Sequence, residues 1–285
     1  MSRSKRLIAV VGASGFVGRH VLSALRCHDV DVVATATDAE HLADVSGLAR
    51  IESINVHEPP DAAFARLGRP DAVIHLAWSG LPNYRSLHHF ETELPAQFSF
   101  LCALIQQGLT QLTVIGTCFE YGMQSGPLAE HLPCVPANPY AYAKHALHQQ
   151  LAFFKDRHPF ALQWLRLFYM FGPGQSAASL YRQLQAAIDG GSDSFDMSSG
   201  EQLRDYLAVG DVARHIAQLA LGAGDSGTVN VCAGRPVSVR SAVEAWIRER
   251  DATLKLNLGV YPYPDYEPMA FWGNDSKLRL LSNAK

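Results

Sequence analysis

The stretch Leu7-Ile8-Ala9-Val10-Val11-Gly12-Ala13-Ser14-Gly15-Phe16-Val17-Gly18-Arg19-His20 decides the fold. Its apolar run has no polar alternation, which suits a strand buried on both faces of a parallel sheet. Three glycines spaced three apart follow at once, and a helical pattern from Phe16 to Cys27 opens within them. Glycines placed this way allow a tight turn, close approach of backbone to a pyrophosphate and close helix-to-strand packing. The helix N-terminus adds N–H donors and the positive end of its dipole. With 22 glycines in 285 residues, chance supplies about 0.1 such triplets. A glycine-rich turn without a ligand is the alternative reading. The basic start before this run mimics a signal peptide, but the glycines interrupt it and Arg19 and His20 end it, so a strand entering a turn is expected.

Outward from this turn, short β-rich runs alternate with helical patterns. Val30 to Ala36, Ala72 to Leu76, Leu112 to Gly116 and Ala161 to Phe168 read as further strands, and Leu94 to Gly108 and Tyr140 to Lys155 as helices. Strand and helix alternating over about 170 residues predict a doubly wound α/β domain of the Rossmann type. After Gly172-Pro173-Gly174 the rhythm changes. Helical patterns at Leu180 to Ile188, Asp211 to Leu221 and Ser238 to Arg250 predict a smaller C-terminal α/β lobe that binds substrate. The expected division is 1–172 and 173–285, with the first part completed by segments near 204–231.

Composition narrows the function classes. Hydrophobic residues make up 48% and charged residues 18%, below the roughly 25% usual for soluble chains, which argues for extensive burial. The net charge of −3 lacks the footprint of a nucleic-acid binder. Nothing reaches the roughly 18 consecutive apolar residues of a membrane span. Cys27, Cys102, Cys118, Cys134 and Cys232 are scattered, without a C-x-x-C pair, so neither a disulfide framework nor a zinc site is expected and a reducing cytoplasm is. His145, His148 and the pair His88-His89 lack partners at zinc-site spacing, and no metal is expected.

Two further motifs carry chemistry. Tyr140 and Lys144 stand four apart on a helix introduced by Asn138-Pro139, so they share a face. An ammonium beside a phenol would pull its pKa down from about 10. An ordinary aromatic–lysine surface pair is the alternative. Thr117 closes the fifth strand, where its hydroxyl can hydrogen-bond a substrate carbonyl oxygen or its own turn.

In this order and on these elements, the motifs resemble the extended short-chain dehydrogenase/reductase family, the branch of nucleotide-sugar epimerases, dehydratases and ketoreductases. Further blocks support the resemblance over nearly the whole chain: His75-Leu76-Ala77-Trp78, Thr117 ahead of Tyr121-Gly122, Leu165 to Pro173, Arg204 to Ala213 and Asn230 to Gly234. It implies that Tyr140 is the general acid/base, that Lys144 holds the nicotinamide ribose and that Thr117 orients the sugar C4 oxygen. Gly12, Ser14, Gly15, Phe16, Val17 and Gly18 would cradle the cofactor pyrophosphate, with Leu76 and Ala77 lining the cofactor and Asn55 and Val56 near adenine. Arg204 would meet the nucleotide diphosphate. Trp78, Asn83, Tyr84, Cys118, Phe119 and Tyr169 would border the substrate. Relatives commonly pair through two helices, which implies a homodimer.

Departures from the family pattern shape the expected reaction. Dehydratases of the family carry an Asp-Glu pair after the catalytic Thr, where Cys118 and Phe119 stand here. Glu120, if the strand continues, projects to the opposite face. Tyr169 replaces an Asn of many epimerases and resembles some 4-ketoreductases, for example paratose or abequose synthases. Tyr261 to Glu267 is acidic and tyrosine-rich where relatives offer an arginine to the nucleotide. The tip of the second strand, Ala34-Thr35-Ala36-Thr37-Asp38, places Thr35 and Thr37 where an acid would accept from the ribose of NAD, which favours NADP(H) over NAD(H). The expected activity is reduction of a nucleotide-linked 4-keto-6-deoxyhexose. A 4-epimerase with bound NAD and a non-catalytic NAD(P)-binding protein are the alternatives.

Overall fold

The computed structural model describes residues 5–222 and 224–283. Seven strands form the central sheet: β1 Arg6–Val11, β2 Val30–Ala36, β3 Arg50–Ser53, β4 Ala72–His75, β5 Gln111–Thr117, β6 Ala161–Leu167 and β7 Gly227–Val231. Their spatial order is β7-β6-β5-β4-β1-β2-β3, with every neighbouring pair parallel. The order reverses between β1 and β4, and ligands of open α/β sheets bind at such a reversal, beyond the carboxyl ends of the strands. Register makes the crevice. Val11 stands opposite Thr35 on one side and His75 on the other, so three chain exits lie side by side.

Burial on both faces explains the unalternated strand sequences. Ile8 and Val10 point into one core with Val21, Leu22 and Leu25 of α1 (Phe16–Leu25). Ala9 and Val11 point into the other, with Phe100 and Leu104 of α2 (Leu94–Gln106) and Leu147 and Leu151 of α3 (Pro139–Lys155). Each fully buried aliphatic side chain contributes about 1.5–3 kcal/mol. The Asn138 side chain accepts from the Ala141 N–H at 2.9 Å, capping α3, and Pro139 occupies its first turn.

Past residue 172, α4 (Leu180–Asp189) and α6 (Val239–Glu249) enclose a separate core around Phe195, Met197 and Trp246. Between them in sequence, α5 (Val209–Leu221) returns to the first core and β7 joins the central sheet beside β6. The tail does more than cover the second lobe. Phe271–Gly273 pairs in parallel with Gly126–Leu128, just after β5, and Leu278 of α7 (Ser276–Asn283) enters the first core. No helix among the described residues is long and apolar enough to cross a membrane.

Candidate active site

The turn after β1 admits only glycine at its key position. Gly12 has φ of +83°, and a Cβ there would lie 2.6 Å from the Ala77 nitrogen, so the exits of β1 and β4 touch backbone to backbone. A Cβ on Gly18 would lie 2.5 Å from the Gly12 oxygen, which is how α1 packs tightly on the turn. Beside them is a cavity of about 240 Å³ lined by Gly12, Ser14, Gly15, Thr37, Val56, Leu76, Ala77 and Trp78 among the expected residues.

Other expected residues stand apart from this lining. Thr35 is fully buried within β2, and Ala36 and Thr37 reach the cavity where the strand ends. The Asn55 side chain turns back to accept from the His57 N–H at 3.1 Å. Phe16 packs edge-on against His20, and Val17 lies against the first core.

Sequence reading missed a polar wall of the cavity. Glu93, fully buried on the wide turn His89–Glu93, accepts from Ser79 Oγ at 2.5 Å and Gln97 Nε2 at 2.8 Å, and pairs with His57 at 2.9 Å and His88 at 3.2 Å. Burial opposes its ionisation, but the hydrogen bonds from Ser79 and Gln97 outweigh burial and hold the carboxyl below its ordinary range. Only Gln97 stands at helical spacing from Glu93, while His57 and Ser79 reach it from distant segments, so the grouping as a whole is not read from spacing.

Thr117, Tyr140 and Lys144 meet on the other side of Trp78. Tyr140 and Thr117 share a side-chain hydrogen bond, and Thr117 Oγ1 also accepts from the Phe119 N–H at 3.3 Å. The threonine thus bonds its own turn, one of the two readings its position allowed. Lys144 Nζ donates to the Ile115 carbonyl at 2.9 Å and sits 4.0 Å from the Trp78 ring centroid. Burial lowers its pKa to about 7, against the pull of Glu120 and Glu93.

Tyr140 behaves differently from expectation. Burial first, then Tyr84, Glu120 and Cys118, push its phenol well up, with only the Thr117 bond opposing. The ammonium expected to lower it is turned to the Ile115 carbonyl and is itself weakly basic. Tyr140 is thus a neutral phenol.

Aromatic rings wall this phenol. Trp78, Tyr84 and His89 approach it with ring centroids at 6.1, 5.5 and 5.3 Å. Trp78 Nε1 donates to His89 Nδ1, and His89 Nε2 lies 2.8 Å from the Asn83 carbonyl, which fixes a neutral ring. Phe119 packs on Tyr84 at 5.1 Å, and Tyr266 packs on both at 6.1 and 6.2 Å. His89 and Tyr266 lie in stretches the sequence singles out, the histidine pair and the tyrosine-rich tail, but nothing local joins either to this site. Cys118 lies buried behind Phe119, and burial raises its thiol, so it is no nucleophile.

Glu120 does not continue the strand. After Thr117 the chain enters a tight turn, Cys118–Tyr121, and the Glu120 carboxylate folds back to accept from the Thr117 N–H and Trp164 Nε1, both at 2.9 Å, and from Arg166 Nε at 3.0 Å. His145 and His148 converge on it, the one group of three possible metal ligands among the described residues. Arg166 already neutralises that carboxylate, and a dication would sit against a buried guanidinium.

Arg204 is closed off. Its side chain is 1% exposed and ion-pairs at 2.8 Å with Glu267, itself 7% exposed. It also donates to the Leu203 carbonyl at 2.8 Å and the Met269 carbonyl at 3.2 Å, and stacks 4.7 Å from the Phe271 centroid. The Tyr169 hydroxyl donates to the same Glu267 carboxylate.

The NAD dependent epimerase/dehydratase family matches residues 8–232. The chain belongs to that family. A dTDP-6-deoxy-L-talose 4-dehydrogenase (NAD(+)) from Aggregatibacter actinomycetemcomitans is 29% identical over 278 residues, 93% of this chain and 98% of the relative. A UDP-glucose 4-epimerase from Azospirillum brasilense is 30% identical over 271 residues, 83% of this chain and 75% of the relative. The solved structure of MoeE5 in complex with UDP-glucuronic acid and NAD superposes with a TM-score of 0.81 at 25% identity, covering 96% of this chain and 91% of that one. As a member of the NAD dependent epimerase/dehydratase family, the protein is an enzyme of the short-chain dehydrogenase type with the doubly wound sheet expected from its sequence. Its glycine turn fits a dinucleotide, because a Cβ at Gly12 or Gly18 would collide with the backbone that shapes the cradle.

Proposed function

We propose that the protein is an NAD(H)-dependent oxidoreductase that acts at C4 of a nucleotide-linked 6-deoxyhexose, reducing the 4-ketone to the alcohol. The observation that carries this reading is the neutral Tyr140 phenol, hydrogen-bonded to Thr117 inside an aromatic box that shares Trp78 with the glycine-turn cavity. Bound NAD(H) supplies the hydride. Tyr140 gives its proton to the developing C4 alkoxide, and the Thr117 hydroxyl orients that oxygen. Lys144, one helical turn on and placed between the Ile115 carbonyl and the Trp78 ring, would hold the cofactor ribose. Because Cys118 is buried and Glu120 is folded back onto Arg166, no carboxylate follows Thr117 into the box, so removal of water from the sugar has no base there. Tyr84, Phe119 and Tyr266 form a wall suited to a methyl group at C6.

The cavity favours NAD(H). Its lining holds no lysine or arginine to meet a ribose 2′-phosphate, and Arg19 is engaged by Asp44 at 2.5 Å. The relative from Aggregatibacter actinomycetemcomitans is likewise an NAD(+) enzyme. A second reading, 4-epimerisation with tightly held NAD, is favoured by the Azospirillum brasilense relative. Incubation with NADH and a panel of nucleotide 4-keto-6-deoxyhexoses, and separately with UDP-glucose and UDP-galactose, separates them. Oxidation of one NADH per sugar supports the reductase; interconversion without net NADH loss refutes it in favour of the epimerase.

A further inference from the structure

Three consecutive residues of the tail grip the wall of the candidate substrate site. Asp265 ion-pairs with Arg85, the neighbour of Tyr84. Tyr266 packs on Tyr84 and Phe119. Glu267 takes the Tyr169 hydroxyl and the Arg204 guanidinium together. Arg204 Nη1 is held by the Leu203 and Met269 carbonyls and its plane by the Tyr169 and Phe271 rings, while Nη2 is paired by charge with this one carboxylate at 2.8 Å but makes no aligned hydrogen bond. Among those contacts only Glu267 carries a negative charge. A second anion approaching Arg204 therefore meets like charge at the place it must occupy.

We propose that Glu267 is a specificity-determining residue, an internal counterion of Arg204 that the diphosphate of an incoming nucleotide sugar must displace. The inference rests on the nucleotide-sugar reading above and adds to it a built-in competitor. The intramolecular pair is preorganised, with both partners buried before ligand arrives, so a weak or singly charged anion gains too little to replace it. A diphosphate brings more charge and further hydrogen bonds to the same guanidinium. Displacement of Glu267 also releases Tyr169 and loosens the segment carrying Tyr266, which couples diphosphate capture to the aromatic wall around Tyr140.

Calorimetric titration of wild type and Glu267→Gln with dTDP, UDP, dTMP and UMP tests this directly. Glutamine keeps the shape and removes the charge. Both classes are expected to gain on Glu267→Gln, the diphosphates at least about tenfold and the monophosphates, no longer held off by the pair, by at least as much, so the preference for diphosphate shrinks. A purely structural role would weaken both classes or leave both unchanged, without narrowing the gap between them. NAD titration of the same samples reports whether the glycine-turn cavity is intact. Should Glu267→Gln not yield folded protein, Tyr169→Phe removes one of the two partners that hold the carboxylate and should give a smaller gain of the same kind. Diphosphate binding that is unchanged or weaker in the folded variant overturns the counterion proposal alone. Absence of nucleotide binding to wild type and variant alike overturns both it and the nucleotide-sugar reading.

Discussion

Lys144 makes the pH dependence of this protein predictable. In an unfolded chain a lysine titrates near 10.5, whereas burial lowers Lys144 to about 7 in the folded protein. Below pH 7 the ammonium is charged in both states, and the folded state bears the whole desolvation penalty. Above about pH 10.5 the amine is neutral in both and the penalty is gone. Between these limits the unfolded state binds more protons, so stability rises with pH, by at most about 1.4 kcal/mol per unit. Integrated from pH 6 to 9, these two values give roughly 2.7 kcal/mol as an upper limit. In a chain of 285 residues that amounts to a Tm change on the order of 5 °C. Thermal unfolding of the cofactor-free wild type and Lys144→Met across this range isolates the effect, because methionine fills similar space without titrating. The stability of wild type relative to Lys144→Met should climb as pH rises. Parallel pH profiles for the two proteins would refute the reasoning.

Two further perturbations test other joints of the site. Gly12→Ala places a Cβ 2.6 Å from the Ala77 nitrogen at a φ of +83°. The left-handed backbone costs about 1–2 kcal/mol and the overpacking about 1–3 kcal/mol, so thermal melting should show a clear loss, with weakened NAD binding by titration; wild-type values for both would contradict the reading of the turn. Glu120→Gln leaves Arg166 without its buried counterion, at a cost of about 3–5 kcal/mol in denaturant unfolding, and a change below about 1 kcal/mol would show that the pair does not hold the end of β5.

The parts legible in the sequence were the local ones. The glycine turn, the strand–helix alternation and the shared face of Tyr140 and Lys144 depend on residues within a few positions of one another. The condition on Glu120, a regular strand through it, does not hold: the capping contact of its carboxylate with the Thr117 N–H ends the strand, and the carboxylate turns to Arg166. The contacts that close the site join distant segments. Glu267 lies far along the chain from both Arg204 and Tyr169, and Tyr266 from Tyr84 and Phe119, so no spacing announces them. Long-range burial also reversed the expected effect on Tyr140, since desolvation outweighs a lysine engaged elsewhere. The acidic character of Tyr261 to Glu267 was visible, but its partner was not.

The central claim is that Tyr140 delivers the proton in an NADH-dependent reduction of a nucleotide 4-keto-6-deoxyhexose. The most direct measurement is NADH oxidation by wild type and Tyr140→Phe at saturating keto sugar, with cofactor affinity checked by titration. The account predicts that kcat falls about 10²–10⁴-fold while NADH binding is retained. Near-full turnover by Tyr140→Phe would contradict it.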